Sequence, residues 1–279
     1  MVTVKKHFAT LTEFQEEASR RDRQAWGNGS HEPKNDDWAG THTYEQAVNL
    51  SRYGWPEGRA KMFGELQNMK AIAKHGRLAT WTHDVAGFLP DVPRAIVGMP
   101  DCMFNQGEDC HKVRPVLKIV ANLGRHAGIE SETINWHGAA ILTWIDRLEA
   151  CGYACEVTAV MFSRDGSGNE AEILVDLKQA GEVLDLDRMA FCLVNPAFHR
   201  RFKFGVLENI PELKTHRGGY GRSMELSEID KRELEPTVYI YMTSDNYTDR
   251  AHALQNVSNF FVTQLEKAGI TLPEGNTYD

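Results

Sequence analysis

The chain has 279 residues, 42% of them hydrophobic and 25% charged, which is enough apolar material for a sizeable core. Its formal net charge of −8 argues against a broad nucleic-acid-coating surface, because phosphate contacts are made by Lys and Arg; a local basic patch is still compatible with it. No run approaches the ~18 consecutive apolar residues of a membrane span, and MVTVKKHFATLTEFQEEASRRDR has no apolar stretch behind its lysines, so it does not read as a secretory signal.

Residues 1–80 read as helical and loop-rich. Thr12 is placed to cap a helix beginning near Glu13, and residues 25–40 hold the Gly, Asn, Ser, Pro and Asp of a loop. Thr43 with Gln46 three positions on has the pattern of a capping box, opening a helix over 44–53 that Gly54 and Pro56 stop. A further helix fits 58–75, where Met62, Leu66 and Met69 share a face. Beyond residue 80 the pattern changes. Ala95–Pro100 reads as a short strand, and VLKIVA from Val116 as a buried one. Residues 136–151 form a helix with Ile141, Leu142, Ile145 and Leu148 on one face. Strands follow at 155–162 and 172–178, separated by the turn Asp165-Gly166-Ser167-Gly168. A helix over 184–193 stops before Pro196, residues 199–236 read as loop with short elements, and the chain closes with a strand over 237–243 and a helix over 249–268. Buried strands joined by helices predict an α/β fold of three layers, a mostly parallel, Rossmann-like sheet flanked by helices. The predicted division is a helical N-terminal extension over 1–80 and an α/β domain over 81–279.

Five cysteines, odd in number and irregularly spaced, read as reduced thiols. Cys102, Cys110 and His111, with His83 and Asp101, have residue types that suit zinc, but there is no CxxC or HxxxH spacing. Ligands of open α/β sheets sit beyond the carboxyl ends of strands. That rule selects Asn122, Arg125 and His126, then Ser163 and Asp165, then Thr243 and Asp245. Asn122, Asp165 and Asp245 are the candidate oxygen ligands of a magnesium ion, with Arg125 and His126 facing a phosphate ester or nucleotide; the plainer alternative is that all of them cap turns and helices. The run HRRFKF and the glycine-rich THRGGYGRS supply Arg200, Arg201, Lys203, Arg217 and Arg222 as candidate phosphate or nucleic-acid contacts, the alternative being a solvated loop anchored by Phe202 and Phe204. Trp38 and Trp55, beside glycines, either fix the N-terminal segment to the main domain or anchor a partner, whereas Trp144 belongs to the core. There is no Gly-x-Ser-x-Gly elbow, no Walker A loop and no dinucleotide fingerprint.

Several segments together carry a resemblance over most of the chain: Trp38-Ala39-Gly40-Thr41, Tyr53-Gly54-Trp55-Pro56-Glu57-Gly58, Val97-Gly98-Met99-Pro100-Asp101-Cys102-Met103, His137-Gly138-Ala139-Ala140 and Asn195-Pro196-Ala197-Phe198-His199-Arg200-Arg201. On these the chain resembles a family of uncharacterised tailed-bacteriophage proteins, which implies a phage origin and action in the host cytoplasm. The order VLKIVANLG, helix, ACEVTAVMF, then YIYMTSD and a helix is similar to the von Willebrand factor A domain. Where that domain has Asp-x-Ser-x-Ser, this chain reads Asn122-Leu123-Gly124-Arg125-His126. The absence of an assembled catalytic motif favours a non-enzymatic phage accessory protein that binds a protein partner, in phage or host nucleic-acid metabolism. The alternatives are a metal-dependent enzyme at the strand-end cleft and nucleic-acid binding through residues 199–222.

Overall fold

The computed structural model describes residues 1–20, 29–33, 36–60, 81–87, 89–106, 116–125, 127–213, 220, 222–224, 233–241 and 250–270. The chain begins with strand β1 (Thr3–Phe8) and helices α1 (Leu11–Ser19), α2 (Asp36–Ala39) and α3 (Tyr44–Tyr53). A small antiparallel sheet follows, built from β2 (Trp81–Asp84), β3 (Leu89–Pro90), helix α4 (Val92–Ile96) and β4 (Met103–Gln106). The main body then runs through β5 (Val116–Asn122), α5 (Ser131–Ala150), the hairpin β6 (Ala154–Arg164) and β7 (Glu170–Lys178), and α6 (Leu186–Val194). A π-helical segment, Phe198–Lys203, passes directly into α7 (Phe204–Glu208), and β8 (Arg222–Met224), β9 (Val238–Ile240) and α8 (Arg250–Lys267) complete the order.

The main sheet has the order β1-β7-β6-β5-β9. Pairing is parallel for β1/β7, β5/β6 and β5/β9, and antiparallel for the β6–β7 hairpin. This is the mixed α/β architecture that the alternation of apolar strands and helices predicts, a mostly parallel sheet flanked by helices. β6 is longer than β5: its residues Ala154–Val160 lie against β5, and Phe162–Arg164 lie against β8. The neighbour of β6 therefore changes just past the carboxyl end of β5.

Side chains alternate across the pleat. Leu117, Ile119 and Ala121, with Cys155, Val157, Ala159 and Met161 and with Ala171, Ile173 and Val175, enter one core shared with α1, α3, α5, α6 and α8. Val120, Val160, Phe162 and Tyr239 form a smaller cluster of their own, with Leu174, Leu234 and Tyr241 packed against it. Trp144 of α5 stacks on Phe261 of α8 at 5.2 Å. On the β9 side, the Gln264 carboxamide accepts from the Tyr239 amide at 2.8 Å and donates to the Tyr239 carbonyl at 2.9 Å.

The N-terminal region differs from the helix-and-loop reading. Thr3–Phe8 is a strand of the main sheet, with Val4 and Phe8 turned toward the core. Its period-two signal is broken by Lys6, whose ammonium pairs with Glu17 of α1. Phe14, Ala18, Tyr44 and Ala47 join the core of the sheet. The boundary expected at residue 80 falls outside the described residues, as does the expected helix over 58–75 beyond its first turn at 56–60. Thr43 and Gln46 do form the capping box of α3, whereas α1 is capped by Thr10 rather than Thr12. The strand expected at Ala95–Pro100 is instead the end of α4 and a turn: Asp91 caps the helix by accepting from the Arg94 amide, and Pro93 occupies its first turn.

Among the described residues no helix is long and apolar enough to cross a membrane. The α5–α6 contact depends on Gly138, where a Cβ would stand 2.0 Å from the Leu193 carbonyl oxygen, a backbone atom that cannot rotate away. Gly138→Ala is expected to destabilise the protein by about 1–3 kcal/mol or more in urea unfolding. Gly166→Ala, where a Cβ meets nothing within 4 Å, is expected to stay within about 0.5 kcal/mol of wild type.

Candidate functional site at the carboxyl end of β5 and β6

The run HRRFKF is not a loop. α6 ends at Asn195, whose Oδ1 accepts from the Ala197 amide at 2.9 Å, and the chain re-enters a helix at Phe198. Phe198 and Phe202 pack with Phe14 and Phe191, and Tyr44 reaches Phe202, so this face of the segment lies in the middle of the core. Arg200, Arg201 and Lys203 go into the interior with it and are at most 1% exposed. The solvent-facing basic surface expected over 199–222 is thus absent at these three positions.

Two of the three cations are absorbed by main-chain oxygens. Arg201 donates from Nε to Thr41 Oγ1 at 2.8 Å, from Nη1 to the Ser30 and Glu32 carbonyls at 2.8 and 3.1 Å, and from Nη2 to the Thr41 and His42 carbonyls at 2.8 Å each. Arg200 donates to the Trp38 and Ile129 carbonyls and lies 4.5 Å over the Trp38 ring. A guanidinium carries five donors in a fixed fork, and burial is tolerable when they are met; those of Arg201 all are, whereas Arg200 Nε has no hydrogen-bond partner among the described residues. At the end of α7, buried Glu208 accepts from the Ser30 amide at 2.8 Å, from Ser30 Oγ at 2.6 Å and from the Tyr220 hydroxyl.

Lys203 is different. Its Nζ reaches the Phe162 carbonyl of β6 at 3.4 Å and His199 Nε2 at 3.3 Å, and no described carboxylate pairs with it. His199 Nε2 also faces the Arg125 amide at 3.4 Å. That nitrogen therefore holds the lone pair and the ring proton sits on Nδ1, which is buried without a hydrogen-bond partner among the described residues. Ser163 Oγ, next to Phe162 on β6, is also buried and unmatched. Ser163 stands directly across from Ser223 of β8, whose hydroxyl donates to the Arg125 carbonyl at 2.9 Å. Arg125 bonds the carbonyls of Asn122 and Gly124 and lies 3.1 Å from His137 Nδ1 on α5. Burial and the Arg125 charge hold the His137 imidazole well below its ordinary value, in the neutral form that accepts from a guanidinium. Burial likewise pushes His199 down, helped by Lys203, Arg200 and Arg125. The result is an amine, a guanidinium, two neutral imidazoles and two hydroxyls gathered where β5 ends and β8 begins.

Of the three expected magnesium ligands, the two described ones, Asp165 and Asn122, are engaged in local hydrogen bonds. Both Asp165 oxygens serve the β6–β7 turn, accepting from the Ser167 and Asn169 amides at 2.7 and 2.8 Å and from Asn169 Nδ2 at 3.1 Å. Asn122 Oδ1 accepts from the Gly124 amide at 2.9 Å, and its Nδ2 donates to the Tyr239 hydroxyl at 3.3 Å. Asp245, Thr243 and His126 lie outside the described residues. So do Arg217, the Arg222 side chain, Cys110 and His111. His83 contacts Asp91 at 2.9 Å, and no group of three metal-binding side chains occurs among the described residues. Trp38 Nε1 donates to the Ala127 carbonyl at 3.0 Å, and the Trp55 amide donates to the Asp187 carbonyl at 2.9 Å, tying the N-terminal segment to the main body.

Burial, reinforced by Arg125, pushes the Lys203 ammonium down from its ordinary 10.5 to about 7. Between these values the unfolded chain binds a proton that the native protein does not, so stability rises with pH across that window. Below the folded value the cost of burying the charge is present in full. Lys203→Met is therefore expected to stabilise the protein by on the order of 1–4 kcal/mol below about pH 7. The gain should shrink toward pH 10, as measured by the difference between the two urea-unfolding profiles.

No curated protein and no solved structure matches the chain. A family model described as a domain of unknown function, DUF7192, matches residues 2–271, nearly the full length, and the protein belongs to that family.

Proposed function

We propose that the protein binds a small phosphoryl-type anion at the carboxyl end of β5 and β6, with Lys203 and His199 as the recognition pair. The observation that carries this reading is the buried Lys203 amine, which faces an imidazole and a carbonyl where a carboxylate would be expected. A buried lysine is rare unless paired, and perturbed basic groups gathered at one point mark functional sites. The place suits it as well, since α/β sheets hold ligands beyond the carboxyl ends of their strands. His199 orients the amine through Nε2, and the unmatched Ser163 hydroxyl is a further donor for oxyanion oxygens. Away from bulk water each of these contacts is worth more than on a surface. This reading keeps the phosphate-ester or nucleotide alternative in its ligand class and moves recognition from a metal to the chain's own cations.

A second reading, the protein-binding accessory role in a phage-infected cell, is favoured by a different observation. Ile96 and Val97 are 78% and 72% exposed, with Val85, Val92 and Met99 also open to solvent nearby. They sit on the β2-β4-β3 sheet and α4, braced by the His83–Asp91 and Arg94–Asp101 pairs. Neighbouring exposed apolar side chains on an ordered unit mark contact surfaces.

Under the first reading, inorganic phosphate or pyrophosphate at 100-fold over Kd should stabilise the protein by about 2.7 kcal/mol. That corresponds to a rise in melting temperature of roughly 4–5 °C for a chain of this size, absent in Lys203→Met. A flat response to phosphate, pyrophosphate and nucleoside phosphates alike would count against it. Under the second, wild-type protein used as bait in infected-cell extract should retain a partner that Ile96→Asp/Val97→Asp loses while melting as wild type does. Equal retention by both would count against it.

A further inference from the structure

We infer that anion binding at this site is coupled to proton uptake by Lys203, so that the ligand is held at and below neutral pH and released as the solution becomes alkaline. The inference rests on the anion-binding reading and adds its regulation. Its basis is the set of groups around the amine. From its own helix Lys203 faces His199 at 3.3 Å, and Arg200 lies beside His199. From the loop after β5 comes Arg125, and from β6 the Phe162 carbonyl at 3.4 Å. From α5, His137 meets Arg125. α1, α3 and α6 present the rings of Phe14, Tyr44 and Phe191 to the same helix.

Within this set the charged neighbours of Lys203 are cations, and the nearest acceptor with a lone pair is a neutral imidazole. An ammonium is unfavourable there in the empty state, both by desolvation and by repulsion from Arg125, and its value falls to about 7. An anion placed against Nζ reverses both effects: it supplies the missing counter-charge and accepts the new hydrogen bonds. By linkage, a ligand that prefers the protonated amine must draw a proton onto it. The balance is simple. One proton leaves the buffer and forms the third N–H bond of the ammonium, and no covalent bond to the ligand is made.

Sulfate is the suitable probe, because it stays a dianion from pH 5.5 to 9 and any proton taken up belongs to the protein. Titration calorimetry of the full chain in buffers of different ionisation enthalpy should show about one proton taken up per sulfate near pH 8.5 and about none near pH 5.5. Affinity should fall roughly tenfold per pH unit on the alkaline side. Lys203→Arg, whose charge is permanent, should bind sulfate with neither proton uptake nor that pH dependence. Sulfate binding by wild type that is independent of pH and buffer would overturn the coupling and leave the anion site standing. Uptake that persists undiminished in Lys203→Arg would assign the proton to another group and overturn it too. If sulfate, phosphate and pyrophosphate all fail to bind at any pH, the anion-binding reading falls, and the coupling with it.

Discussion

The described residues between Ser30 and His42 contain one short helix and no strand, yet they lie against the main body of the molecule. What holds them is the Arg201 guanidinium, which reaches four carbonyl groups and one hydroxyl of that stretch from inside the core. A hydrogen bond from a charged donor contributes about 1.5–3 kcal/mol in mutational series, and an acceptor left dry and unmatched is costly. The guanidinium and the loop therefore require each other. Glu208 closes the same arrangement from the next helical turn through Ser30 and Tyr220. With the loop fixed, the Trp38 carbonyl and ring become available to Arg200, which in turn anchors the start of α5 through Ile129 and Ser131. The spatial frame of the strand-end site thus depends on two adjacent arginines in a π-helical segment, a geometry often found at functional positions.

The parts of this fold that the sequence makes legible are those governed by local rules. VLKIVA and CEVTAVMF are strands because continuous apolar runs of that length suit a sheet covered by helices. Thr43 with Gln46, and Asp185 ahead of α6, announce helix starts because their side chains meet orphan amides. Asp165-Gly166-Ser167-Gly168 announces a hairpin for the same reason. β1 is not legible, because Lys6 interrupts its inward face and is accommodated by Glu17, a contact eleven residues away. Nor is the fate of HRRFKF. Charge density ordinarily signals solvent, and nothing local says that carbonyls of residues 30–42 will converge on Arg201. The strand-end rule located Asn122, Arg125, Ser163 and Asp165 correctly as neighbours of strand termini. It could not show that two of them are consumed as caps, nor that Lys203 and His199 would arrive from a helix some eighty residues after β5. The i, i+4 spacing of His199 and Lys203, which puts both on one helix face, was the one available signal.

The buried charges of this protein fall into two kinds with different consequences. Arg201 is permanently charged and has every donor hydrogen-bonded, and such a group specifies a structure without responding to solution conditions. Lys203 sits in the same segment but titrates in an accessible range, with fewer partners. Placing both kinds within one six-residue segment gives one rigid element a fixed side and a responsive side. The core rings of Phe198 and Phe202 keep that element from turning between them.

The Gln264 carboxamide, which reaches from α8 to β9, has a bearing on how copies of the molecule meet. A strand at the margin of a sheet offers a template to any passing chain, and Gln264 occupies both the donor and the acceptor of Tyr239 in the manner of a one-residue strand. That margin is blunted against recruitment of foreign strands. The opposite margin, β1, bears the exposed Lys5 and His7, side chains that discourage stacking of like edges. Among the described residues, both flanks of the sheet are thus guarded against edge-to-edge pairing.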